Sequence, residues 1–245
     1  MGNTRHQVWA CCVRVAIGAF AIGLAGASAR ADEVKFPSSL QQGAPTAAVP
    51  AATRHAGSTV EIFRQSDGHL GAGVQIEPGL ILTAAHLVAS ERTVVVKDDL
   101  GRERTGTVED SNVTLDLAFV QIPISGEIGV SPLSCRLPPI GLPIEMVGHP
   151  FGREFVVMNG AVATGIRSVG RWPSLVIMNK NAFPGMSGGP VLAADGSVVA
   201  LVVAATGAPE ALAGPAGAVP ASVICNNLPG DRPISMLTTP APARG

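Results

Sequence analysis

Three short strings hold residue types that together could carry out acyl transfer: Thr83-Ala84-Ala85-His86, Leu115-Asp116-Leu117-Ala118 and Gly185-Met186-Ser187-Gly188-Gly189-Pro190. A serine hydroxyl is a weak nucleophile until an imidazole takes its proton, and that imidazole needs a carboxylate to orient it and stabilise its charge. Each string alone is ordinary, since histidines after strands, aspartates before apolar runs and serines among glycines are common in packing, caps and turns. In combination they assign Ser187 as nucleophile, His86 as general base and then acid, and Asp116 as its partner. Gly185 frees the backbone to aim its N–H, with that of Ser187, at a developing oxyanion, and loss of one such donor typically costs about a hundredfold or more in rate. Gly188 and Gly189 let a substrate backbone approach.

Chain order selects among the folds that use these parts. Gly185-x-Ser187-x-Gly189 also matches the nucleophile elbow of the α/β-hydrolases, but that fold needs a histidine after the serine. All five histidines (His6, His55, His69, His86, His149) precede Ser187. An Asp116, His149, Ser187 order would suit a subtilisin arrangement, which requires alternating helices and parallel strands that this chain lacks.

The elements that must position these residues are short strands. Runs rich in Val, Ile and Thr at 58–64, 71–77, 80–83, 93–97 and 117–122 are broken by Gly and Pro, and the second half repeats the habit at 144–147, 155–165, 174–178, 190–193 and 197–204, with Asp195-Gly196 as a hairpin turn. No long helical period occurs. An all-β fold is expected. The proline-rich stretch 130–143 divides halves of similar size and reads as an inter-domain connection.

The three strings resemble the signature blocks of trypsin-like peptidases, and their short spacing, 30 residues from His86 to Asp116 and 71 from Asp116 to Ser187, is similar to the bacterial high-temperature-requirement (Deg) branch. Gly148-His149-Pro150-Phe151-Gly152 is similar to that branch's Gly-Asn-Pro-Phe-Gly turn. Gly71-Ala72-Gly73-Val74 and Ala218-Val219-Pro220 fit its first hairpin and its last strand-to-helix junction. The resemblance covers residues 55 to 228 and implies two six-stranded antiparallel barrels, 55–130 and 131–228, the second ending in a short helix, with the active site between them. No PDZ domain is expected after them. Met186 departs from both the acid of trypsin and the asparagine frequent in the Deg branch, so activation through an N-terminal ion pair is not expected.

The resemblance also places a specificity pocket between the strand before the nucleophile loop and the strand after the following hairpin, here Asn181 and Val202, Val203 and Ala204. That pocket is shallow and uncharged. Asn181 matches the acid of trypsin, and between Glu154 and Glu210 the only acid is Asp195, in a turn. Small or medium aliphatic side chains on the acyl side of the scissile bond are therefore expected.

Composition sets the wider frame. The 245 residues are 47% hydrophobic and 14% charged, with net charge −1 and only three lysines, which fits a globular protein and gives no electrostatic footprint for nucleic acid. Residues 1–31 carry early arginines, an apolar run at 15–27 and Ala29-Arg30-Ala31, the pattern of a cleaved signal peptide. A membrane anchor is the alternative, but 13 apolar residues are short of the roughly 20 that span a bilayer. Export to the periplasm or medium is expected, followed by a flexible leader (32–54) and, at the other end, a flexible tail (229–245). With Cys11 and Cys12 removed, Cys135 and Cys225 remain, and a disulfide between them is expected, two separate buried thiols being the alternative.

Other motifs carry less. His149 in its Gly/Pro turn reads as structural, and His55 and His69 as surface residues. Gly68-x-x-Gly71-x-Gly73 precedes strand pattern and is not a dinucleotide loop. No spacing supports a metal site, and no cofactor is expected. The sequence thus points to a secreted serine endopeptidase acting on proteins or peptides through an acyl-enzyme. A catalytically silent two-barrel module that binds peptides is the alternative.

Overall fold

The computed structural model describes residues 56–207 and 213–230. The expected signal peptide, the leader and residues 231–245 of the expected tail lie outside them. Strands β1 (Thr59–Arg64), β2 (His69–Glu77), β3 (Leu80–Thr83), β4 (Thr93–Lys97), β5 (Glu103–Asn112) and β6 (Leu117–Gln121) close a barrel in the order β1-β2-β3-β6-β5-β4. A one-turn helix, α1 (Ala85–Val88), follows β3. Strand alternation divides the apolar residues between two layers. Ile81, Ala118 and Val120 face the barrel interior with Val60, Ile62, Val94 and Val96, whereas their neighbours Leu80, Leu82, Leu117 and Phe119 face a second layer. The β2–β3 hairpin turns at Pro78-Gly79, with Gly79 at φ +82°, the left-handed position that favours glycine after proline.

The second half forms β7 (Pro143–Gly148), β8 (Val156–Ala161), β9 (Arg167–Val169), β10 (Trp172–Ala182), β11 (Pro190–Leu192), β12 (Val198–Ala205), β13 (Gly214–Pro220) and a short helix α2 (Ala221–Cys225). This differs from the six-stranded barrel expected. Among the described residues it is a seven-stranded sheet in the order β8-β7-β11-β12-β13-β10-β9, and the backbone pairing between the β8 end and β10 is a single isolated bridge, Val162 with Met178. The ladder fails there because Ala163 and Thr164 both donate to the Ile177 carbonyl, at 2.7 and 3.3 Å, while the Thr164 hydroxyl accepts the Ile177 amide at 3.1 Å. A side chain has taken a ladder position, and the chain turns off into the β9–β10 hairpin.

The sheet has its own core around Met146, Val176, Met178, Met186 and Val202. Between sheet and barrel lies the shared layer, where Leu82, Leu117 and Phe119 meet Leu192, Leu201, Val219 and Ile224. The connection at 130–143 is tied into both halves. The Ser131 amide donates to Gln75 O on β2 at 2.9 Å, and Val198 at the start of β12 donates to Pro132 O at 2.8 Å. Just beyond, Cys135 lies at disulfide distance from Cys225 at the end of α2, with Cα atoms 5.7 Å apart.

Candidate active site

His86 sits in the single turn of α1, which follows the end of β3 and the extended Ala84. Its Nδ1 lies 2.8 Å from Oδ2 and 3.0 Å from Oδ1 of Asp116, and its own amide donates to Oδ1 at 2.9 Å. Asp116 precedes β6 with φ +59°, a left-handed conformation that costs an L-residue about 1 to 2 kcal/mol. The Asn112 side chain, accepting the Leu115 amide at 3.0 Å, shapes the turn that leads into it. Burial pushes the Asp116 carboxyl up, but the hydrogen bonds and charge of His86, with the Trp172 indole, outweigh it and hold the group below the usual aspartate value. The carboxylate is therefore ionised while almost wholly buried.

Ser187 lies in the loop between β10 and β11. Gly188 donates to Val202 O at 2.7 Å and Val202 donates back to Gly189 O at 2.9 Å, so the loop runs against β12. Its other side meets the barrel, where the Ala72 amide on β2 donates to Ser187 O at 2.8 Å. A side chain at Gly71 would touch both Leu87, the neighbour of His86, and Ser187 O. Serine and histidine segments thus converge on one short stretch of β2. Gly185 has φ +94°, and a Cβ there would overlap the His149 carbonyl oxygen. Among the described residues, Nε2 of His86 has no hydrogen-bond partner, and the Gly185 and Ser187 amides donate to no acceptor.

The Gly148-His149-Pro150-Phe151-Gly152 turn backs this loop. The His149 amide donates to Gly185 O at 3.1 Å and the Phe151 amide to Pro184 O at 2.8 Å. The His149 ring is buried, its Nδ1 accepting the Phe155 amide at 3.1 Å and its Nε2 facing Val60 O at 3.3 Å. That pairing requires the neutral, Nε2-protonated ring, and burial holds its pKa below the usual value. His149 is accordingly a structural link between the halves, as its sequence context suggests. Met186 is fully buried in the second core, where an acid could not find water. Val202 joins the same core, and Val203 and Ala204 join the shared layer. Asn181 is exposed on β10, paired in register with Pro215.

Five residues near the site carry no sequence signal of their own. Arg64 donates to the carbonyls of His86 at 2.9 Å and Leu87 at 3.1 Å, and Asp67 holds its guanidinium. Hydrogen bonding to Arg64 lowers the Asp67 carboxyl to about 2. The exposed His69 places its ring edge-on to His86, centroids 6.5 Å apart. Arg171 and the Trp172 indole each reach Asp116 Oδ2 at 3.1 Å. His55 lies outside the described residues.

A glycine loop carrying a serine, held between a barrel and a second sheet, together with a His-Asp pair whose carboxylate is buried, is an arrangement found in a class of peptidases. The chain belongs to the trypsin-like peptidase domain family, which matches residues 71–201. Its relatives within that class are of the HtrA and Deg kind. The putative serine protease HhoA of Synechocystis is 34% identical over 54% of this chain and 36% of its own length. The magnetosome formation protease MamE of Magnetospirillum gryphiswaldense is 30% identical over 63% of this chain and 21% of its length, and a probable periplasmic DegP-like endoprotease of Halomonas elongata is 26% identical over 54% and 28%. The chain thus aligns with about a third or less of each of these relatives. Among solved structures, the HtrA-type protease AlgW bearing a Ser-to-Ala change, with a tripeptide, superposes with a TM-score of 0.66 at 21% identity, covering 72% of this chain and 60% of that one. An inactive Ser-to-Ala form of Rv3671c from M. tuberculosis gives 0.62 at 21%, covering 72% and 87%. These likenesses concern the fold.

Proposed function

We propose that this chain is an exported serine endopeptidase that hydrolyses peptide bonds through an acyl-enzyme, with His86, Asp116 and Ser187 as its triad. The observation that carries the reading is the buried Asp116 carboxylate at 2.8 Å from His86 Nδ1, beside a Ser187 loop that the barrel and the second sheet hold between them. The carboxylate fixes the tautomer with the proton on Nδ1, which leaves Nε2 as the base. Ser187 Oγ adds to the substrate carbonyl carbon as its proton passes to Nε2. The carbonyl oxygen becomes an oxyanion facing the amides of Gly185 and Ser187. Collapse breaks the C–N bond, His86 returns the proton to the leaving amine, and an ester on Ser187 remains. Water, deprotonated by the same Nε2, then cleaves the ester and restores the serine.

Reaction with a fluorophosphonate probe tests this, because labelling needs an activated serine and a silent peptide-binding module has none. Wild type is expected to label, and Ser187→Ala to lose label and turnover, by about a thousandfold or more, while keeping the wild-type melting temperature. Gly185→Val is expected to lose activity and stability together, since its Cβ meets the His149 carbonyl. Equal turnover in Ser187→Ala and wild type would overturn the assignment. Export fits the character of residues 1–31, and the N-terminal sequence of protein recovered outside the cytoplasm is expected to begin after Ala31.

A further inference from the structure

We propose that Arg171 and Trp172, at the tip of the β9–β10 hairpin, are positioning residues for the Asp116 carboxylate, so that the second sheet as well as α1 sets how well His86 serves as a base. The proposal rests on the triad reading above. Asp116 has a side chain only 2% exposed, and such a carboxylate must find its donors within the protein. Oδ1 is satisfied by the His86 amide. Oδ2, the oxygen nearer to Nδ1, also accepts Arg171 and the Trp172 indole N–H, both at 3.1 Å and from more than 50 residues further along the chain.

Neither donor is a loose surface arm. The Trp172 ring packs against the shared apolar layer, and the Arg171 guanidinium stacks over that ring, 4.6 Å from its centroid. Packing fixes the indole, and the indole fixes the guanidinium. Together they hold Oδ2 from the second sheet while the α1 amide holds Oδ1, so rotation of the carboxylate, and of the imidazole with it, is resisted.

The two donors differ in charge, which separates their effects. The titratable and charged groups facing His86 are Asp116, Arg171 and the edge-on His69, with Arg64 on the carbonyl behind it. The indole is neutral: it supplies aim and a hydrogen bond that favours the ionised carboxylate, but no net charge. Arg171 adds a cation that opposes the charge His86 acquires on protonation. Removing that cation makes the imidazolium easier to form and moves the acid limb of kcat/KM to higher pH.

The test measures kcat, KM and the pH profile of kcat/KM for the full chain and for Trp172→Phe, Arg171→Gln and Arg171→Lys, with His86→Ala and Asp116→Asn as references. Trp172→Phe keeps an aromatic ring, though a smaller one, and loses the donor; kcat is expected to fall about fivefold to twentyfold, with KM within twofold of wild type and the acid limb unmoved. Arg171→Gln is expected to raise the acid limb by about half a pH unit, and Arg171→Lys to restore it. Trp172→Phe with kcat within twofold of wild type overturns the role of the indole, and an unmoved limb in Arg171→Gln overturns that of the guanidinium. Either result beside inactive His86→Ala and Asp116→Asn leaves the triad standing, whereas activity in His86→Ala overturns the triad itself. Should Trp172→Phe not fold, Arg171→Gln decides, because Arg171 is 54% exposed and its loss removes no core contact.

Discussion

A lysine or arginine entering the proposed acyl-side pocket would meet no counter-charge. Val202, Val203 and Ala204 are buried apolar residues, Asn181 is neutral, and Asp195 is exposed in the β11–β12 turn, where its carboxylate accepts the Ser197 amide and hydroxyl. An unpaired cation in an apolar slot costs several kcal/mol, roughly a thousandfold in rate. Matched peptides with Val, Ala, Leu, Phe, Lys and Glu on the acyl side are therefore expected to rank the small and medium aliphatics first, and first place for Lys or Glu would place the pocket elsewhere. At this scale the sequence spoke clearly where local geometry demands a residue type. Gly185 is legible because a positive φ and a close carbonyl leave only glycine possible there. Arg171 and Trp172 are silent because their importance lies in a contact with a residue more than 50 positions away. No local pattern records that.

At the scale of elements, strands with buried, β-branched alternation were legible, and β3 and β4 fall where the pattern puts them. β5 (Glu103–Asn112) escaped because it enters the barrel with mostly polar side chains that are exposed or half-buried. β13 (Gly214–Pro220), built of Gly, Ala and Pro with a single Val, carries no β-branched pattern, and only the resemblance at Ala218-Val219-Pro220 points to a last strand there. Its small residues let neighbours approach, and a Cβ on Gly217 would meet Leu175 and Thr206 at 2.9 and 3.0 Å. The open edge of the second sheet was not legible at all, since it depends on one threonine hydroxyl standing in for a backbone carbonyl. The cysteine pair also belongs here, because it would bind the inter-domain connection to α2. Closing a loop whose ends are 90 residues apart stabilises by about 4 to 5 kcal/mol on chain-entropy grounds, with strain commonly reducing the yield. Mass spectrometry of unreduced exported protein is expected to find no free thiol, and reduction to lower the melting temperature by several degrees. Two free thiols would refute the bridge.

For the whole molecule, the buried contact between the halves at His149 makes stability depend on pH. Its ring is neutral in the folded state and pushed below the usual imidazole value by burial. The unfolded chain binds a proton there below about pH 6.5, so folding stability is full above that value and is lost as pH falls through the folded-state pKa. The lowered carboxylates Asp67, Asp98, Asp116 and Glu154 act in the same sense, but only below the usual carboxylate range near pH 4. Denaturant midpoints are expected to drop between pH 7.5 and 5 in wild type and to drop less in His149→Asn. Parallel profiles would show that another group carries the dependence. The bond from Ala72 to Ser187 O has a further consequence. It runs from a buried strand of the barrel into the loop that carries Ser187, so the Ala72 amide can exchange with deuterium only when the halves part or the loop lifts. The exchange lifetime of that single amide is then a clock for how long the proposed catalytic centre stays assembled, readable by NMR with no substrate present.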